Sequence, residues 1–128
     1  MYTLLADVAS HTTVQALMKN LSYDAKRDFA PVAMFAETPL VLVTSSGSGY
    51  SSVKELITAA KSKLGSIASA SAGIRTSTHL AAEKFRIAAG FAAQAVPYKS
   101  TNDALGEVMA GRIDFLFTAS LVIGIQDC

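Results

Sequence analysis

The residues best placed to do chemistry lie between Ser69 and Phe85, in the run Ser-Ala-Ser-Ala-Gly-Ile-Arg-Thr-Ser-Thr-His-Leu-Ala-Ala-Glu-Lys-Phe. Small and hydroxyl residues follow an apolar, strand-like Ile67 and Ala68, and an amphipathic helical pattern begins where they stop. The first turn of a helix offers unpaired backbone N–H groups and partial positive charge. Gly73, Thr76, Ser77 and Thr78 at that point could therefore converge as donors on a carboxylate or phosphate. The same residues also suit an ordinary strand-to-helix turn closed by a Ser or Thr cap. Local sequence leaves both readings open.

Other constellations are weaker. His79 lies two residues after Ser77, and His11 follows Ser10, which could suggest a small Ser/His hydrolase. Nucleophilic catalysis needs a base at hydrogen-bond distance and an orienting acid, and the chain lacks the Gly-x-Ser-x-Gly elbow that often presents such a serine. No catalytic residue is assigned. His79 in the first helical turn is better suited to orienting the loop or capping backbone groups. Two histidines among scattered carboxylates make a poor metal set, and no cofactor motif is present. Ser45-Ser46-Gly47-Ser48-Gly49 superficially resembles a phosphate loop but lacks the Gly-Lys-Ser/Thr ending. Arg75 could grip a carboxylate with its planar fork or stand solvated. Tyr98 and Lys99 follow a strand end and could face a ligand cleft, although Lys99 reads better as a surface charge, and Asp114 reads as the structural start of a strand.

These residues need elements to position them. Tyr2–Ala6 reads as a buried strand, and His11–Asn20 as a helix with Val14, Leu17 and Met18 on one face and Ser10 or Thr12 as cap. An extended stretch runs from Pro31 to Thr44, β-branched and apolar, with a break or edge at Pro39. Ser52 and Glu55 form a capping box for a helix from Val53 to about Lys63, burying Val53, Leu56, Ile57 and Ala60 and closed by Gly65. A helix from about Ser77 to Ala89 would bury Leu80, Ala81, Phe85 and Ala88 and end at Gly90. Ala93–Val96 reads as a strand stopped by Pro97. Thr101 caps a helix through Leu105, Val108 and Met109 to Gly111, and Ile113–Phe117 reads as a last strand. Such alternation predicts an α/β fold, with βαβ units around a mainly parallel sheet and helices on its faces. Ligands in such folds bind at the carboxyl ends of strands. Three of those ends carry suitable groups: Asp7–Thr12 with Ser10, Ser69–Thr78 with Ser71, and Thr118–Ser120.

Composition narrows the function further. The chain of 128 residues is long enough for a core, with 51% hydrophobic residues and mean hydropathy +0.36. Eleven basic and ten acidic side chains leave a formal charge of +1 without a basic block, so nucleic acid is not an expected partner. The single cysteine, Cys128, permits no internal disulfide. The longest apolar run, Pro39–Val43, is far short of the roughly 20 residues a membrane span needs. No basic-then-apolar leader opens the sequence, so the chain expressed as given would be expected to stay in the cytoplasm.

Taken in order, several segments resemble one family. They are Tyr2-Thr3-Leu4-Leu5; Leu21-Ser22-Tyr23-Asp24 with Asp28-Phe29-Ala30-Pro31-Val32; Pro39-Leu40-Val41-Leu42-Val43; Ser71-Ala72-Gly73 with Ser77-Thr78-His79-Leu80-Ala81-Ala82-Glu83; Val96-Pro97-Tyr98-Lys99; and Gly111-Arg112-Ile113-Asp114-Phe115. Their order and spacing resemble the substrate-binding proteins of the tripartite tricarboxylate transporters, the Bug family of periplasmic solute receptors. The resemblance implies a type II periplasmic-binding-protein architecture: two three-layer αβα lobes hinged by crossing strands, with a carboxylate between them. On that basis residues 1–30 resemble a remnant of lobe one. Residues 31–128 resemble the hinge strand and lobe two, folding as a single compact unit. The opening strand with its glycine-rich loop and the C-terminal return to lobe one have no counterpart here. After Thr118 the sequence departs from the family, which often has an acidic residue there.

The resemblance implies a periplasmic receptor, not an enzyme, for a di- or tricarboxylate or an amino acid, working with membrane transporter subunits. The ligand residues it suggests are Ser10, Ser71, Gly73, Thr76, Ser77, Thr78, His79 and Thr118. A cleft receptor desolvates its ligand between two sets of donors. Losing two or three charge-assisted bonds of ~1.5–3 kcal/mol each would weaken binding by orders of magnitude. Weak binding by this chain is therefore expected, with a non-binding structural module as the alternative. Apolar surface left without lobe one predicts self-association, as a homodimer exchanging terminal elements.

Overall fold

The computed structural model describes residues 3–7, 10–62, 66–74 and 76–124, of which 10, 12, 17 and 124 by backbone alone. The chain divides into two compact units, residues 1–37 and 38–128.

In the first unit one helix, α1 (Ser10–Leu17), forms from the segment expected to be helical, three residues shorter at its C-terminus. His11 anchors a small aromatic cluster. Its ring stacks 6.0 Å from Tyr23 and meets Phe29 edge-on at 4.7 Å, while Nδ1 lies 2.9 Å from the Asp7 carboxylate. Asp24 accepts from the Gln15 side-chain amide at 2.9 Å and from the Lys26 N–H at 2.8 Å. Those bonds, the Gln15 one foremost, hold its carboxyl below the ordinary range. The strand expected over Tyr2–Ala6 does not form: residues 3–7 are exposed and pair with no strand, and Leu4 is 84% accessible. An apolar run becomes a strand only against a neighbouring strand, and these residues have none among those described. For the same reason residues 30–38 form no strand, with Val32, Met34 and Phe35 at least 80% exposed.

The second unit is a four-stranded sheet with helices on both faces. Its strands are β1 (Leu40–Val43), β2 (Ala68–Ser71), β3 (Gln94–Pro97) and β4 (Phe115–Ala119), in the order β1-β4-β2-β3. β2 runs parallel to both β3 and β4, and β1 is antiparallel to β4. The sheet is thus mixed, mainly parallel as expected, with its antiparallel strand at one edge. β4 lies two residues beyond the expected Ile113–Phe117, and β3 includes Pro97, which stands opposite Ser71.

Four helices cover the sheet: α2 (Val53–Ser62), α3 (Ser77–Ala89), α4 (Thr101–Met109) and α5 (Ser120–Gly124). Period-two alternation sends successive side chains of each strand to opposite faces. Phe115 packs with Leu56 and Ala60 of α2, Ile67, Ala82 of α3, and Phe91. Ala70 and Leu116 pack with Ala104, Leu105 and Val108 of α4 and with Ile113, with Val122 of α5 alongside. Two cores on one sheet make the three-layer αβα arrangement.

The helix ends follow their local chemistry. Ser52 Oγ accepts from the Glu55 N–H at 3.3 Å, and the Glu55 carboxylate accepts from the Ser51 N–H at 2.7 Å, so the box closes one residue earlier than expected. Val53 stays half exposed. The expected closing residue, Gly65, lies outside the described residues. Gly90 adopts φ +69° and donates to the Arg86 and Ile87 carbonyls, a conformation a β-carbon would disfavour. α4 is capped by Ser100, not Thr101: Ser100 Oγ accepts from the Asp103 N–H and donates to its carboxylate. The buried stripe of α3 is rotated from that expected. Thr78 and Ala82 are buried and Phe85 and Ala89 pack on the core, while Ala88 is exposed. A stripe of nearly all-apolar residues cannot be phased by hydropathy, and the sheet decides it.

Asp114 sits just before β4 and joins it to two neighbours. One carboxylate oxygen accepts from the Ala68 N–H at 2.8 Å and the other from the Tyr50 hydroxyl at 3.4 Å. Burial, then the negative charge of Asp114, raise the Tyr50 phenol above its ordinary value of 10.0. The unfolded chain therefore releases this proton at lower pH than the folded chain does. Stability from this source is complete below pH 10.0 and falls as pH rises above it. Tyr50→Phe is expected to flatten the alkaline limb of a plot of urea midpoint against pH; an unaltered limb would exclude Tyr50 as its cause.

Candidate functional site

Because β2 and β3 are parallel, α3 and α4 both begin at the same edge of the sheet. The loop between β2 and α3 is organised by a directed chain of hydroxyls. Thr76 Oγ1 donates to the Gly73 carbonyl at 2.8 Å, which commits its only proton. In the 2.9 Å contact between Thr76 Oγ1 and Thr78 Oγ1, Thr78 is therefore the donor. Thr78 Oγ1 in turn accepts from the Ala72 N–H at 3.4 Å, and Thr76 Oγ1 caps the helix by accepting from the His79 N–H at 3.3 Å. Gly73 reaches φ +119°, where a side chain would be strained. The Tyr98 N–H donates to the Ser71 carbonyl at 2.8 Å, extending the β2–β3 ladder beneath the loop.

The first helical residues, Ser77 and Thr78, have no preceding helical carbonyl for their N–H groups. Ser77 is exposed, and α3 has no acidic residue in its first turn. By contrast α2 has Glu55 there and α4 has Asp103. The positive end of α3 is the one among these three that no local carboxylate neutralises. An incoming anion would meet backbone donors and the hydroxyl of Ser77, which has no partner among the described residues.

The eight residues singled out from sequence fall in three places. Ser71, Gly73, Thr76, Ser77, Thr78 and His79 are brought together in this loop and the first turn of α3. Within that group Thr76 and Thr78 spend their hydroxyls inside the loop, Ser71 Oγ is buried 3.5 Å from the Gly73 carbonyl, and His79 contributes its backbone N–H to the cap. Thr118, next to last in β4, lies at the same end of the sheet, but it shares a face with Leu116, whereas Ser71 lies on the face opposite Ala70. Its fully buried hydroxyl has no partner among the described residues. Ser10 belongs to the first unit, and its side chain lies outside the described residues, as does Arg75. Tyr98 and Lys99, which follow the end of β3, also flank the loop, Tyr98 half-buried and Lys99 exposed.

A groove of about 610 Å³ opens at the other edge of the sheet, among Ser46, Ser48, Tyr50, Met109, Ile113 and Asp114. Its carboxylate already holds the Ala68 N–H and the Tyr50 hydroxyl. Size alone does not favour it over the α3 terminus, whose donors face outward.

Comparison with known proteins decides the family. The model of the tripartite tricarboxylate transporter family receptor matches residues 1–125. The chain belongs to this receptor family. It is 31% identical over 115 residues to a UPF0065 protein from the tcbD-tcbE intergenic region of Pseudomonas sp. strain P51, a match covering 90% of this chain and 34% of that protein. It is 32% identical over 112 residues to BugT of Bordetella pertussis, covering 86% and 34% respectively. Among solved structures it superposes with a TM-score of 0.73 on the periplasmic binding protein BugD, at 25% identity, covering 87% of this chain and 37% of BugD. An R. palustris protein solved with adipate gives a TM-score of 0.70 at 27% identity, covering 79% of this chain and 34% of that one. The chain thus spans about a third of the length of the relatives it matches. The α/β fold of this receptor family member is that of the periplasmic binding proteins, as the order of its motifs implies.

Proposed function

We propose that this family member contributes one half of a carboxylate clamp in a periplasmic solute receptor that serves membrane transporter subunits. One carboxylate of a small di- or tricarboxylate, or of an amino acid, is received at the N-terminus of α3. The observation that carries this reading is the first turn of α3. It lacks an acidic residue, presents the N–H groups of Ser77 and Thr78, and is held open by the Thr76–Thr78 hydroxyl chain. The adipate bound by the R. palustris neighbour supports a dicarboxylate as the ligand class. Residues 1–37 are read as belonging with the other lobe, the clamp's second half.

The family role favours binding over catalysis. Ser77 and His79 also stand two positions apart on one helix, about 200° around its axis, so their side chains do not face each other. A Ser/His pair acting together is not built here.

The test is a titration of the chain with adipate, malate, citrate and glutamate, followed by backbone amide NMR. The expected result is a saturable shift of the Gly73, Ser77 and Thr78 amides, with a dissociation constant near or above 1 mM. Ser77→Pro sharpens it. Proline at the first helical position removes one donor and leaves the helix intact, and Thr76 already has the extended backbone that a following proline requires (φ −78°, ψ 161°). This variant is expected to bind at least tenfold more weakly at unchanged helix content. Amides that ignore every carboxylate would overturn the reading.

A further inference from the structure

The two ends of the sheet carry opposite polarity. Remote from the first turn of α3, the groove of about 610 Å³ lies between the short 3₁₀ turn Ser46–Ser48, which follows β1, and the link from α4 to β4. Every residue that lines it falls between Ser45 and Asp114, inside the second unit. Hydrogen bonds within the lining decide which way its hydroxyls work. Ser48 Oγ donates its only proton to the Ser45 carbonyl at 2.6 Å. The Tyr50 hydroxyl donates its own to Asp114 at 3.4 Å. Toward a ligand, both oxygens act as acceptors. The N–H groups around them are spent as well: Gly47 on Ser45 Oγ, Tyr50 on Ser48 Oγ, and Asp114 on the Ala68 carbonyl.

Asp114 supplies the charge. Each of its oxygens takes one donor, which leaves further lone pairs on both. Among the described residues no Lys, Arg or His pairs with it. Arg112, two positions away, is held by two bonds to Glu107. The opposite wall adds to the negative potential. α2 has Lys61 in its last turn and α3 has Arg86, whereas α4 has no basic residue there. Helix C-terminal carbonyls carry partial negative charge. Those of Gly106, Glu107 and Val108 accept from the N–H groups just beyond the helix. No donor among the described residues takes those of Met109 and Ala110, both of which line the groove.

We infer that this groove binds an organic cation rich in N–H donors, with a guanidinium as the best match. A guanidinium sets one delocalised charge against Asp114 and presents five N–H groups in a planar fork to a lining of acceptors. An ammonium satisfies the charge with three donors only and gives up a tighter hydration shell. A carboxylate, the ligand class read for the α3 turn, is repelled here. The two sites therefore select opposite charges at opposite ends of one sheet, and this inference does not rest on carboxylate binding at α3.

Titration of the chain with methylguanidinium and with acetyl-arginine methylamide, followed by backbone amide NMR at low salt, tests it. The expected result is a saturable shift of the Gly47, Gly111 and Asp114 amides, with Gly73, Ser77 and Thr78 unmoved. Saturation by methylguanidinium alone marks a free solute as the occupant; saturation by both marks the arginine side chain of a partner protein. Acetyl-citrulline methylamide keeps the shape and removes the charge, and is expected to leave these amides unmoved. Ser46→Lys puts a like charge at an exposed position on the rim and is expected to weaken binding roughly fivefold without altering the fold. Asp114→Asn is expected to abolish binding, with the Ser46→Lys result standing if that variant is unstable. Amides that ignore both guanidinium probes, or that respond equally to the citrulline analogue, would overturn the inference. So would a Ser46→Lys chain that binds as tightly as the parent.

Discussion

Replacing Phe115 by alanine is expected to destabilise the second unit by about 3–5 kcal/mol. Phe115 is fully buried at the start of β4, and its ring meets Phe85 edge-on at 5.8 Å and Phe91 and Phe117 at 6.3 Å each. Alanine removes the transfer free energy of the ring and leaves a cavity whose walls, set by α2, α3 and the sheet, cannot all close in. Edge-to-face ring contacts are lost as well. Against a stability of roughly 5–15 kcal/mol for an ordinary domain, this is a large share. Urea unfolding followed by circular dichroism reads it as a lowered midpoint at unchanged slope. Ile87→Ala, at a 71% exposed position of α3, should stay within about 0.5 kcal/mol of the parent. If the two variants lost equal stability, the core would not be centred on Phe115.

Thr78→Val carries the second large effect. Valine keeps the shape and removes the hydroxyl that accepts from the Ala72 N–H and donates to Thr76 Oγ1. Thr78 is only 8% exposed, so water does not simply take its place. Leaving the Ala72 N–H without its acceptor costs about 1–3 kcal/mol, while Thr76 Oγ1 still accepts from the His79 N–H. Thr78→Ser retains the hydroxyl and is expected to recover most of that loss. The loop should respond in its dynamics too, with faster amide exchange at Ala72 and at His79, whose cap partner Thr76 loses the bond from Thr78. A valine variant as stable as the parent would mean that the hydroxyl chain does not hold the loop.

The same two residues show how far the chain can be read without its fold. That a hydroxyl-rich turn stands between a strand and a helix from Ser77 was legible, because small residues, a cap and helical periodicity are all local. Six of the eight residues singled out for a ligand do gather there. Which hydroxyls point outward was not legible. Thr76, Ser77 and Thr78 look equivalent in sequence, and only the positions of Gly73 O and the Ala72 N–H commit the first and third to the loop. Thr118 falls near the end of β4, yet which helix-covered face it joins depends on how the sheet packs against α2, α3 and α4.

The strand expected at Tyr2–Ala6 and the length of the extended stretch from Pro31 mark a different boundary. Leu4, Leu5, Val32, Met34 and Phe35 have the composition of strands and are exposed. β-propensity states that a segment fits a sheet, not that a neighbour is available.

By itself, then, the amino-acid sequence determined the alternation of elements, the helix ends at Ser52, Gly90 and Gly111 or next to them, and the motif order of a transporter-receptor family. All of these are set by interactions within a few residues, or by a pattern read along the line. The tertiary structure alone decided that β1 runs antiparallel to β4 and that α3 turns Ala82 rather than Ala88 into the core. Those outcomes depend on which distant segment lies alongside. A one-residue change of register exchanges the two faces of a strand, and its inner and outer hydrogen bonds, without altering a single residue.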